Sequence, residues 1–163
     1  MHCGTGNSRA CILSEVIGSQ MVFTEVDPLR GRLGEIARID VRPQSYVDWS
    51  LSPDGSKIAL VEEPTDKVRV LDLLSKEVGV IHPMPPVNGI QRLSWSADGQ
   101  RLFVSGIGEG AHSFLMTMDY VGRTRVLLEV NDWLAEPRPS PDGKRLAYVQ
   151  GVSESNVTLL EHF

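Results

Sequence analysis

Short apolar runs recur along the whole chain, each bounded by Gly, Pro, Ser, Asn or Asp. Lys57-Ile58-Ala59-Leu60-Val61, Val68-Arg69-Val70-Leu71-Asp72, Arg101-Leu102-Phe103-Val104, Leu115-Met116-Thr117-Met118-Asp119 and Arg145-Leu146-Ala147-Tyr148-Val149 are examples. Apolar and polar residues tend to alternate within such runs and their neighbours, as in strands whose side chains point to opposite faces in turn. No long stretch carries the three-to-four spacing of an amphipathic helix. The pattern predicts an all-β chain of many short strands, with the 15 Gly and 10 Pro serving turns.

The turns themselves repeat. Ser52-Pro53-Asp54-Gly55 returns as Ser96-Ala97-Asp98-Gly99 and as Ser140-Pro141-Asp142-Gly143, at intervals of 44 residues. Pro presets φ at the first turn position, Ser and Asp side chains bond nearby backbone groups, and Gly accepts the left-handed conformation. Asp54, Asp98 and Asp142 are therefore read as turn formers rather than catalytic carboxylates. Each turn leads into a basic residue, an apolar strand, a second strand ending in an acid (Asp72, Asp119, Glu161), and a third strand such as Val78–Ile81 or Thr124–Leu128. A degenerate first copy uses Ser8–Leu13, Met21–Asp27 and Gly34–Ile39, with Gly4-Thr5-Gly6-Asn7 in place of the turn. The period suggests propeller blades. The expected architecture is a partial β-propeller of about four antiparallel four-stranded blades, at residues 1–43, 44–88, 89–131 and 132–163, the last lacking its fourth strand.

The Ser-Pro-Asp-Gly-x-Lys/Arg-Leu/Ile-Ala pattern, with the later strand ending in Asp, resembles the WD40-like repeat of TolB-type β-propellers. The Gly-His and Trp-Asp signatures of true WD40 blades are absent, and Asp48-Trp49 has the reverse order. Val22–Gly31 and Ser155–Phe163 are similar to the C-terminal blades of propellers appended to bacterial serine/threonine kinases and winged-helix regulators. The resemblance implies a non-enzymatic interaction or sensor module in bacterial signalling or envelope assembly, with an accessory propeller of a hydrolase or a carbohydrate-binding propeller as the alternative. Complete propellers of this kind have about six to eight blades. The chain is therefore expected to self-associate, to meet a protein partner that completes the ring, or to be a piece of a longer protein, with an unusual four-bladed ring as the remaining option. Two exposed blade flanks would otherwise be an aggregation liability.

Composition narrows the chemistry. The net charge of −5 argues against a dedicated nucleic-acid binder, and 41% hydrophobic with 23% charged residues argues against wholesale disorder. No apolar run approaches the length of a membrane span. Met1–Asn7 has neither the basic start nor the apolar stretch of a secretory signal. Gly151-Val152-Ser153-Glu154-Ser155 fails as a nucleophile elbow at its last position, and Gly106-Ile107-Gly108-Glu109-Gly110 reads as a hairpin loop. His2, His82, His112 and His162 fall in different units without metal-ligand spacing, so no metal and no cofactor is expected. Cys3 and Cys11 read most simply as two unrelated thiols, or as a disulfide between neighbouring strands in an oxidising compartment. Trp49, Trp95 and Trp133 are expected to pack between blades, with a binding face as the other reading. His82–Pro86 and Glu136–Pro139 are expected to be rigid connectors between blades.

Overall fold

The computed structural model describes residues 1–3, 11–87, 89–108, 110 and 112–151. The first sheet holds β1 (His2–Cys3), β2 (Cys11–Ile17), β3 (Gln20–Asp27) and β4 (Gly31–Asp40). The second holds β5 (Val47–Leu51), β6 (Lys57–Glu62), β7 (Val68–Asp72) and β8 (Val78–Ile81). The third holds β9 (Ile90–Trp95), β10 (Arg101–Ile107), β11 (Ser113–Asp119) and β12 (Thr124–Val130), and the fourth holds β13 (Trp133–Pro139) and β14 (Leu146–Gly151). Every sheet is an antiparallel meander in which spatial order follows chain order. This is an all-β partial propeller. The expected strand at Val157–Glu161, the Gly4–Asn7 segment and His162 lie outside the described residues.

The core lies between the sheets. One apolar cluster joins Ile12, Phe23 and Ile39 of the first sheet to Trp49, Ile58 and Leu60 of the second. A second cluster joins Ala59, Val61 and Val70 of the second sheet to Leu93, Trp95 and Val104 of the third. Strand β6 shows why its central run, Ile58–Val61, is apolar: Ile58 and Leu60 face one neighbour while Ala59 and Val61 face the other. A strand buried on both faces has no polar position to alternate with, and each fully buried Leu or Ile contributes about 1.5–3 kcal/mol. The first strands of the sheets, β1, β5, β9 and β13, lie towards the axis, where β5 and β13 both meet β9. The last strands, β4, β8 and β12, are largely exposed.

All three repeated turns have the same internal bonding. The Ser52, Ser96 and Ser140 hydroxyls each donate to the aspartate two residues on at 2.6 Å. The same hydroxyls accept the backbone N–H of Lys57, Arg101 and Arg145 at 2.8, 2.9 and 3.0 Å. Gly55, Gly99 and Gly143 take φ of 74°, 68° and 68°. Successive turns also stack: a Cβ on Gly99 would lie 3.6 Å from the Pro53 ring, and one on Gly143 would lie 3.5 Å from Ala97. The acids that end the third strands of the first three sheets close their own turns. Asp27, Asp72 and Asp119 each accept backbone N–H groups two to four residues on.

One of the two connector expectations is corrected. Glu136–Pro139 is not a connector; it belongs to β13, the innermost strand of the fourth sheet. Proline is tolerated there because an edge strand leaves alternate N–H groups unpaired, and the ladder breaks register between Ala135 and Arg138. The other segment, His82–Pro86, does run between sheets, where Met84 donates its N–H to Gly122 O at 2.7 Å and bridges to the start of β12.

The backbones of β9 and β10 approach so closely at one point that no side chain fits. A Cβ on Gly106 would fall 2.1 Å from the carbonyl oxygen of Gly89, whose oxygen also accepts the Ile107 N–H at 3.0 Å. Gly106→Ala is expected to lower the unfolding free energy by about 2–4 kcal/mol in urea titrations, as overpacking against backbone does. A loss below about 0.5 kcal/mol would show that the two strands separate easily.

Candidate functional site

Near the axis, the position four residues before the repeated serine carries a charge in each of the last three sheets: Asp48, Arg92 and Glu136. They share the 44-residue interval of the turns and sit on β5, β9 and β13. Each of the first two side chains reaches the innermost strand of the next sheet. Asp48 Oδ2 accepts the Leu93 N–H at 2.8 Å, and Arg92 Nε lies 3.4 Å from Glu136 Oε1. Arg92 also pairs with Glu63 and lies 4.4 Å over the Tyr46 ring. Glu136 pairs in turn with Arg138 at 2.6 Å.

Burial pushes the Asp48 carboxyl up to about 6, against the opposing pull of the Leu93 N–H and the Arg92 charge. The His2 imidazole rests 4.4 Å from the Trp49 ring. Burial, followed by the positive charges of the terminal amine and Arg138, lowers its pKa to about 4, so it is neutral at pH 7. Asp54, Asp98 and Asp142 are held below the usual carboxylate range, first by the serine hydroxyl that donates to each. They serve the turns.

Towards the repeated turns, the inner strands open into a cleft of about 400 Å³ whose wall includes Met1, His2, Ser94, Trp95, Arg138 and Pro141. All four sheets contribute to it. Ser94 is buried on this wall and its Oγ has no hydrogen-bond partner, while the Trp95 indole donates to the Ser50 carbonyl at 3.0 Å. Cys3 and Cys11 are not the two unrelated thiols of their simplest reading: they are directly opposed in the β1–β2 ladder and their sulfurs are bonded, which fixes β1 beside β2 and so places Met1 and His2 on the cleft. Trp49 and Trp95 are buried between sheets, whereas Trp133 is 45% exposed. A second cleft, lined by the second sheet and the link before it near Arg42, Glu62 and Arg69, is largely tied up internally. Arg42 holds Glu62 and the carbonyls of Glu62 to Pro64, and Arg69 holds Asp40 O. Among the described residues, no group of three or more His, Cys, Asp or Glu is placed to hold a metal ion.

The charged axial positions are the part of the site that motif reading passes over. Their signal is the turn interval itself, hidden because the three residues differ in sign and type.

No family model and no curated protein matches the sequence. Solved structures do. TolB from Acinetobacter baumannii superposes with a TM-score of 0.62 at 20% identity, over 91% of this chain and 40% of that one. The chain has a TolB-like, WD40-like β-propeller fold. The WD40 domain of Toxoplasma gondii coronin matches with a TM-score of 0.53 at 10% identity, over 83% of this chain and 38% of that one. A prolyl endopeptidase matches with a TM-score of 0.54 at 14% identity, over 86% and 26%. The chain spans less than half the length of each of these structures.

Asp48 makes stability depend on pH in a direction opposite to most carboxylates. Its pKa is raised on folding, so the folded state binds the extra proton and stability falls as pH rises from about 4 towards 6. His2 works the other way in the same range, because its lowered pKa removes stability as pH falls from about 6.5 to 4. The Asp48→Asn variant isolates the first effect. Relative to the unsubstituted protein, its unfolding free energy is expected to gain about 2–3 kcal/mol between pH 4 and pH 7. A difference that stays flat across that range would show Asp48 to be ordinarily solvated.

Proposed function

We propose that the chain is a non-enzymatic propeller module that binds a protein partner, or senses a small ligand, at the axial cleft. Its setting in this reading is a bacterial signalling or envelope protein, and it self-associates or meets a partner that completes the propeller. The observation that carries the reading is the meeting of all four inner strands at one cleft whose walls combine hydroxyls, proline rings and one exposed guanidinium. A stiff stack of sheets holds such a surface without reorganising, which limits the entropy lost on binding. Function resides on that surface rather than in the fold.

An accessory role beside a hydrolase is the second reading, favoured by the likeness to a prolyl endopeptidase. The two readings separate experimentally. Affinity capture with the chain is expected to recover a protein whose binding falls at least about tenfold (about 1.4 kcal/mol) in the Arg138→Glu variant. Lys144→Glu, on the exposed turn of the fourth sheet, should leave that binding unchanged. Turnover of a peptide or glycoside panel by the purified chain, with no partner whose capture depends on Arg138, would reverse the choice.

A further inference from the structure

The wall of the axial cleft repeats with the turns. Two residues before each repeated serine stand Ser50, Ser94 and Arg138, at the same 44-residue interval, and all three line the cleft. They lie on β5, β9 and β13. Side chains alternate along a strand, and the residues flanking the first two, Trp49 and Leu51, then Leu93 and Trp95, are packed into the apolar clusters. Ser50 and Ser94 therefore take the opposite face. The repeat supplies one polar side chain from each of three sheets to the same wall.

Two of these groups have bonding capacity left over. Ser94 is 4% exposed and its Oγ has no partner among the described residues, which is costly for a buried hydroxyl. The half-exposed Arg138 gives Nη2 to Glu136 at 2.6 Å, and among the described residues its Nε and Nη1 make no hydrogen bond. Glu136 is shared with Arg92 and is not on the cleft wall. Among the described residues no carboxylate lines the cleft, and His2 is neutral at pH 7, so Arg138 is the one charged side chain there. A guanidinium is planar and presents paired N–H groups that match the two oxygens of a carboxylate. Leu51, Pro53, Trp95, Ala97 and Pro141 make the rest of the wall largely apolar. A volume of about 400 Å³ falls within the range of small-molecule sites.

We infer that the axial cleft binds a small organic acid, its carboxylate held by Arg138 and Ser94 and its apolar body packed against Trp95 and the proline rings. A neutral ligand leaves the free side of the guanidinium without a charged partner. A doubly charged one brings a second negative charge to a wall with a single cation, where it loses water for no new partner. A monocarboxylate matches both the charge and the donors, and it pairs the Ser94 hydroxyl that the fold leaves unpaired. This inference rests on the reading of the axial cleft as a binding site and names the chemistry of its ligand.

The probes are phenylacetate, its neutral isostere phenylacetamide, and inorganic phosphate. Each is titrated into the full isotope-labelled chain at pH 7 to about 20 mM, a range that covers millimolar dissociation constants. Nuclear magnetic resonance follows the Trp95 indole N–H and the Ala97 backbone N–H. Phenylacetate is expected to shift both signals saturably and to bind at least about tenfold more tightly than the other two probes. Arg138→Met should weaken it at least about tenfold and Ser94→Ala at least about threefold, whereas Lys144→Met should leave it unchanged. Ser94→Ala also separates ligand binding from a structural role: with no partner to lose, its urea midpoint should stay level or rise. If circular dichroism shows Arg138→Met to be unfolded, Arg138→Lys keeps a charge beside Glu136 without the planar fork and should weaken phenylacetate as well. Equal shifts from phenylacetamide or phosphate overturn the carboxylate assignment and leave the cleft as a binding site. A lowered urea midpoint in Ser94→Ala assigns that hydroxyl to the fold and overturns its part in binding. No shift from any probe, or shifts indifferent to Arg138 and Ser94, overturns the inference. The reading of the cleft as a binding site falls with it only if capture of a protein is also independent of Arg138.

Discussion

The architecture depends on sheets that are apolar on both faces. A strand such as β6, with Ile58 and Leu60 on one side and Ala59 and Val61 on the other, cannot be satisfied by a single neighbour. A sheet of this kind must be sandwiched, and the twist of antiparallel sheets turns successive sandwiches about a common axis. The two apolar clusters are consequently shared between sheets rather than owned by one. The outer face of the first sheet carries the Glu15–Arg32 and Glu35–Arg38 ion pairs.

The same stacking organises the polar groups. Inner strands are edge strands, so their outward N–H and C=O groups need partners that the sheets do not supply. The Asp48 carboxylate answers the Leu93 N–H and the Trp95 indole answers the Ser50 carbonyl, each across a sheet boundary. Arg92 and Glu136 continue the pattern as an ion pair backed by Glu63 and Arg138. Charge at the axis therefore joins one sheet to the next, and the cleft opens where these pairings give way to Ser94, Arg138 and the turn prolines. The Cys3–Cys11 bond belongs to the same scheme, since it fixes a two-residue strand that would otherwise have only two register positions to hold it against β2.

Features set by local chemistry were legible along the chain. The Ser-x-Asp-Gly turns, their left-handed glycines and the strand-ending aspartates each act within a few residues, so their spacing carried the strand count and the repeat. Features set by neighbouring sheets were not. Glu136-Pro137-Arg138-Pro139 has the composition of a connector, and only its place at the axis, where unpaired N–H groups are normal, makes it a strand. Asp48, Arg92 and Glu136 occupy equivalent positions yet share no residue type, so similarity alone does not group them. Trp49, Trp95 and Trp133 looked alike in sequence and separate into two buried side chains and one exposed one, because the first two have a sheet packed over them.

By itself, the sequence determined the all-β class, the repeating unit of about four strands and the identity of the turns, because each of these follows from side chains acting on their own backbone. Tertiary structure alone decided which charges meet at the axis and where the cleft opens. Those outcomes depend on contacts between residues about 44 positions apart, and the strength of such contacts is set by burial and by the partner's identity rather than by local pattern.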